Sequence, residues 1–184
     1  MSCSHSKKTI TKNVVMDTVA VSAKNNPISI YRATTPKIWD IEHTKAALSF
    51  NWKEKTALGK AWIDIHPYCY DVDTLVLDAK SMKIDSVCIV KNNKYEPVVF
   101  EYEHDQIKMR FNRSYTIKDT IQVYVQYTAM PYTAAKGGSA AITDDRGLYF
   151  INTDHAITGK PAQIWTQGET ESNSHWLPTI DKPN

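Results

Sequence analysis

Gln106-Ile107-Lys108-Met109-Arg110-Phe111 and Ile121-Gln122-Val123-Tyr124-Val125-Gln126-Tyr127 decide the fold class. In both runs apolar residues alternate with polar or outward ones. Successive side chains of an extended chain point to opposite faces, so each run offers one greasy face and one wet face. A sheet built from such strands cannot hide its apolar face alone. Two sheets must pack together, or one must close on itself.

The same period runs outward from these two strands. Ala46, Leu48, Phe50 and Trp52 alternate with Lys45, Ala47, Ser49 and Asn51, which predicts a strand with one buried face and Trp52 in the core. Residues 56–59 read as the following turn, with Leu58-Gly59-Lys60 at a hairpin tip. Ala61, Ile63 and Ile65 alternate against Lys60, Trp62, Asp64 and His66. Leu75-Val76-Leu77 is a short buried strand, and residues 84–90 are β-branched and strand-like. Asn92-Asn93 and His104-Asp105 are turn signals on either side of a strand over 98–102.

Pro131 ends the regular region. A long loop over 132–146 follows, carrying Ala134-Ala135-Lys136-Gly137-Gly138-Ser139. Gly147-Leu148-Tyr149-Phe150-Ile151 reads as one more strand, 152–160 as loop, and Ile164-Trp165 as the last strand. Seven or more short strands with almost no helical period predict an all-β, antiparallel β-sandwich or a barrel. Residues 1–28 are polar, with Val14, Val15 and Met16 as their one apolar cluster. They read as a flexible leader or one weak edge strand, leaving 29–184 as the sandwich domain.

Composition sets the outer bounds. A chain of 184 residues, 42% hydrophobic and 23% charged, is long and apolar enough for one folded domain. A net charge of +2, dispersed, gives no ground for a nucleic-acid partner. No apolar run reaches the roughly 18–20 residues of a transmembrane helix, and the start lacks the apolar region of a signal peptide. Cys3 leaves two readings: a lipid-modified Cys of a bacterial periplasmic or membrane-anchored lipoprotein, or a residue of no consequence in the leader of a cytoplasmic chain. The preferred reading of Cys69 and Cys88 is two small buried hydrophobes. A bridge between them needs a geometry that spacing does not reveal.

Motifs of catalysis are missing from the sequence. There is no His-Glu-x-x-His, no Gly-rich phosphate loop and no Gly-x-Ser-x-Gly elbow. His66 and Cys69 have a ligand-like spacing, but no second pair completes the four ligands of a structural zinc site. His104 and Asp105, adjacent on a turn, read as solvated and not as a catalytic pair. The expectation is therefore no catalytic residue and no metal site in this chain. Trp62 and Tyr124 fall on outward faces, either as a binding patch or as a surface covered by the second sheet or another domain.

One stretch remains: Trp165-Thr166-Gln167-Gly168-Glu169-Thr170-Glu171-Ser172-Asn173-Ser174-His175-Trp176-Leu177-Pro178-Thr179-Ile180-Asp181-Lys182-Pro183. Gln167 and Glu169 are separated by one residue, so in extended chain they point the same way. An amide carbonyl beside a carboxylate is an acceptor cluster suited to an ammonium group. Pro178 and Pro183 keep the following chain out of helix, and Asp181 is placed to brace it.

This stretch resembles a segment of zinc aminopeptidases of the M1 family, Gln-x-Glu-Pro-x-x-Ala-Arg-x-x-Phe-Pro-x-x-Asp-x-Pro. The match falls at Gln167, Glu169, Pro178, Asp181 and Pro183. Thr170 stands where the family has Pro, Asn173-Ser174 where it has Ala-Arg, and Leu177 where it has Phe. Upstream, residues 39–44, 73–78, 82–87 and 147–150 are similar to strands of the family's N-terminal domain, so the resemblance covers roughly 36–184. It implies a saddle-like β-sandwich that precedes a zinc-bearing catalytic domain. It also implies that Gln167 and Glu169 anchor the peptide's free amine together with a Glu of that domain. On this reading zinc belongs to the full-length enzyme, and the 184 residues alone bind no zinc and hydrolyse nothing. The alternative is a stand-alone β-sandwich for binding or adhesion, to carbohydrate or protein, with Trp62 and Tyr124 as its platform. A third is a non-peptidase relative whose β-domain serves only as an interaction surface.

Overall fold

A computed structural model describes residues 36–133 and 145–182, all within the compact unit Thr34–Asn184. The expectations for the leader 1–28, for Cys3, for residues 134–144 and for Pro183 lie outside the described residues.

Ten strands are described: β1 Trp39–Asn51, β2 Thr56–Pro67, β3 Val72–Asp78, β4 Met82–Lys91, β5 Lys94–Pro97, β6 Phe100–Glu103, β7 Gln106–Tyr115, β8 Ile121–Ala129, β9 Leu148–Ile151 and β10 Gln163–Thr166. They form a five-stranded sheet in the order β1-β2-β8-β4-β5, a three-stranded sheet β3-β7-β6 and a ribbon β10-β9. The antiparallel, all-β expectation is met. The core contains the faces that alternation assigned, Ala61, Ile63 and Ile65 of β2, Val123, Val125 and Tyr127 of β8, and Ile107, Met109 and Phe111 of β7. It is joined by Leu75 and Leu77 of β3, a run expected to be buried throughout, although Val76 between them is exposed. Asn92-Asn93 and His104-Asp105 have φ of 49° and 61°, and 51° and 60°. Both pairs are left-handed two-residue turns whose twist suits a tight hairpin.

Four local expectations are corrected. The turn after β1 falls at residues 52–55, where Asn51 Oδ1 accepts the Glu54 N–H at 3.1 Å and Lys55 has φ 54°. Gly59 lies inside β2, directly opposite Tyr127. A methyl group on Gly59 would sit 2.2 Å from the Tyr127 ring, so glycine is there to make room for an aromatic.

Phe50 and Trp52 are not core, being 37% and 42% exposed. β1 is the edge of the wider sheet, and its far end meets the ribbon, where both rings stand edge-on to Phe150 at 6.1 and 5.8 Å. The strand expected over 98–102 starts two residues later, as β6, and Val98-Val99 is a hand-over between sheets. Val98 N–H bonds Val87 O in the first sheet, and Val99 O accepts from Arg110 N–H in the second. Pro97, without an N–H, closes β5 just before the crossing. Lastly, Cys88 is buried as expected, while Cys69 is exposed, and both are free thiols.

Candidate functional site

β9 and β10 pair in register, Trp165 against Tyr149 and Thr166 against Leu148. Leu148 and Phe150 fill the inner side of the ribbon. The ladder runs one step further, with Gln167 N–H donating to Gly147 O at 2.9 Å. Gly147 has φ +67°, and a side chain there would meet the Ser172 carbonyl. The chain beyond Gln167 therefore folds back closely over the ribbon's end.

Gln167 and Glu169 are brought together, as their spacing predicts. Gln167 Nε2 donates to Glu169 Oε2 at 3.2 Å. That bond leaves Gln167 Oε1 and the remaining carboxylate lone pairs available as acceptors. Gln167 is half-buried and Glu169 exposed, so the pair stands at the surface with its base fixed.

The segment behind the pair is stitched down. The Ser172 hydroxyl sits between the Glu169 carbonyl oxygen, 2.7 Å away, and the Asp145 carboxylate. A short 3-10 helix, Asn173–His175, follows. Ser174 N–H donates to Asp181 Oδ2 at 2.8 Å, which is the bracing role expected of Asp181. The tail then lies along the end of β3. Asp78 and Thr179 exchange both backbone hydrogen bonds, Lys80 N–H bonds Ser174 O, and Lys80 Nζ donates to Glu171 O. Asp78 accepts Gln106 Nε2 on one oxygen and Asp181 N–H on the other, at 2.9 and 3.1 Å. From β8, the Tyr127 hydroxyl donates to Trp176 O at 2.9 Å.

His175 is buried among these groups, and its Nδ1 has no hydrogen-bond partner among the described residues. Burial pushes its pKa down, Lys80 pushes the same way, and Asp145, Asp105 and Asp181 oppose them in part.

Sequence reading missed several members of this region. Asp78, Lys80 and Tyr127 act on the tail across long sequence separations, which no local pattern signals. The Tyr149–Trp165 stack, with ring centroids 4.9 Å apart and planes at 19°, emerges only once the ribbon's register is known.

The other candidates look different in three dimensions. His66 lies 3.1 Å from Glu42 and Cys69 is in an exposed turn. Among the described residues, no three His, Cys, Asp or Glu side chains converge to hold a metal ion. His104 and Asp105 are exposed on their hairpin, and Asp105 caps Ser81 N–H. Trp62 and Tyr124 are covered by neighbours on their own sheet and not by the second sheet. Trp62 Nε1–H donates to the Tyr95 hydroxyl oxygen, Tyr95 stands edge-on to Tyr124, and Lys45 lies over the Trp62 ring.

Comparison with known proteins adds the following. Residues 40–184 match the family described as the Peptidase M1 N-terminal domain. No curated protein sequence matches the chain. Among solved structures, it is similar to an M1 zinc metallopeptidase from Deinococcus radiodurans, at 15% identity and a TM-score of 0.61 over 82% of this chain and 31% of that one. A mutant of that enzyme bound to a Tyr-Ser-Ala substrate aligns at 13% identity and 0.58, over 84% and 32%. Leukotriene A4 hydrolase from Saccharomyces cerevisiae aligns at 16% identity and 0.57, over 79% and 21%. The chain thus spans about a third or less of the length of these relatives.

Proposed function

The chain belongs to the peptidase M1 family through its N-terminal domain, and from that premise we propose that it serves as the non-catalytic β-domain of a zinc-dependent aminopeptidase, holding the free amine of a peptide with Gln167 and Glu169. The observation that carries the reading is the 3.2 Å contact between these two side chains on a segment fixed by Asp78, Lys80 and Tyr127.

The chemistry is one of selection. An enzyme that trims N-terminal residues must accept a terminal ammonium and refuse an interior amide. A carboxylate with a fixed neighbour attracts the first by a charge-assisted hydrogen bond and gains little from the second. Gln167 orients Glu169 through its N–H and offers its carbonyl as a second acceptor. Fixing the amine also fixes the first peptide carbonyl relative to whatever attacks it, a positioning effect. Among the described residues no set of side chains fits a zinc site, and Gln167 and Glu169 would act by charge and hydrogen bonding alone. The groups that break the bond, and a Glu that shares the amine, belong in this proposal to a partner catalytic domain.

The test is Glu169→Ala in the full-length protein that carries this domain. Losing one partner of a charge-assisted contact costs about 1.5–3 kcal/mol, so kcat/KM for aminoacyl substrates should fall roughly ten- to a hundredfold. Wild-type turnover in that variant would refute the anchor.

A further inference from the structure

Resting on the amine-anchor reading, we infer that Trp165, backed by Tyr149, forms an apolar wall for the side chain of the peptide's N-terminal residue, so that the site favours large aromatic or apolar N-terminal residues. The observation is an aromatic surface that the fold leaves about half exposed. Trp165 is 47% exposed, although its ring lies flat on Tyr149. The inner side of the ribbon is served by Leu148 and Phe150, so the stack lies on the opposite, outer side.

The position of this surface names its occupant. The Gln167–Gly147 bond extends the ladder past Thr166, so alternation puts Trp165 and Gln167 on one side of the strand. Two residues of extended chain span about 6.6 Å. Glu169 joins the same side through its contact with Gln167. An ammonium held there has its Cα one bond away, and the side chain on that Cα branches within reach of the Trp165 ring. An aromatic or long aliphatic group laid against the ring removes apolar surface from water on both partners, and an aromatic one also gains ring–ring contact. A methyl group gains little of either. The acceptor pair supplies the charge complementarity for the amine, and the stack supplies the discrimination among residues.

The experiment compares kcat/KM for phenylalanine p-nitroanilide with that for alanine p-nitroanilide in the full-length protein, as wild type, Trp165→Ala, Trp165→Phe and Glu169→Ala. Because the reading is a ratio within one preparation, any loss of folded protein cancels. The Phe-over-Ala ratio should fall about tenfold in Trp165→Ala, the scale of one aromatic contact, and return most of the way in Trp165→Phe. An unchanged ratio in Trp165→Ala overturns the wall. If Glu169→Ala still loses turnover on both substrates in that case, the amine anchor stands without it. Undiminished turnover in Glu169→Ala removes the anchor and, with it, the inference.

Discussion

Replacing Gly59 by alanine tests how the sandwich holds the tail segment that carries the candidate site. The added methyl would lie 2.2 Å from Cζ of Tyr127 and 2.5 Å from its hydroxyl oxygen. Carbon atoms in contact sit about 3.5–4.0 Å apart, so the ring must retreat by more than about 1 Å. Tyr127 is fully buried and has little free volume to retreat into. Overpacking of this kind costs about 1–3 kcal/mol. A ring that swings away also gives up its bond to Trp176 O, about 1 kcal/mol more. The expected loss is about 2–4 kcal/mol, a large share of the stability of an ordinary domain. Urea denaturation gives the loss, and amide hydrogen exchange over residues 173–180 reports whether the tail loosens with it.

The control is Tyr127→Ala, itself costing about 3–5 kcal/mol as an aromatic-to-alanine change in the core. In that background the methyl on Gly59 has space, and Gly59→Ala should be close to neutral. A loss as large in the Tyr127→Ala background as in the wild type would show that the ring is not what excludes a side chain at Gly59, and the reasoning would fall.

Two other outcomes follow from the tail. Asp78→Ala leaves Gln106 Nε2 and Asp181 N–H without acceptors and should cost about 1–3 kcal/mol, with protease cleavage appearing first in residues 178–182; a cleavage pattern like the wild type's counts against the stitch. His175 has a pKa depressed below 6.5 in the folded chain, so its contribution to stability is complete above pH 6.5 and is lost as pH falls through the depressed value. The stability of His175→Gln should therefore decline less steeply than the wild type's below pH 6.5, and identical slopes in urea titrations would contradict the burial argument.

Much of the sandwich was legible because two-residue alternation is a direct record of which face meets the core. β7 and β8 were readable residue by residue for that reason. The same rule misplaced Phe50 and Trp52, because alternation assigns a face but not what covers it, and β1 is an edge strand. Gly59 misled in a different way. Glycine marks turns when it supplies unusual backbone angles, whereas here it supplies the absence of a side chain beneath Tyr127. At the candidate site, the meeting of Gln167 and Glu169 followed from spacing alone. The groups that hold them in place did not, since Lys80 and Glu171 are separated by 91 residues and Asp78 and Asp181 by 103.

Those separations bear on how the molecule assembles. Closing a loop of about a hundred residues carries an entropic cost that must be met before its contacts form, so such contacts tend to come late in folding. The hairpins of β4–β5 and β6–β7 close locally, whereas the seam between Asp78 and Thr179–Asp181 waits for both β3 and the ribbon to be in place. Contacts that form after the rate-limiting step govern how fast a structure comes apart more than how fast it is made. The seam is therefore expected to set the lifetime of the Gln167–Asp181 segment in its docked position. A chain can reach a well-formed sandwich and still spend part of its time with that segment adrift.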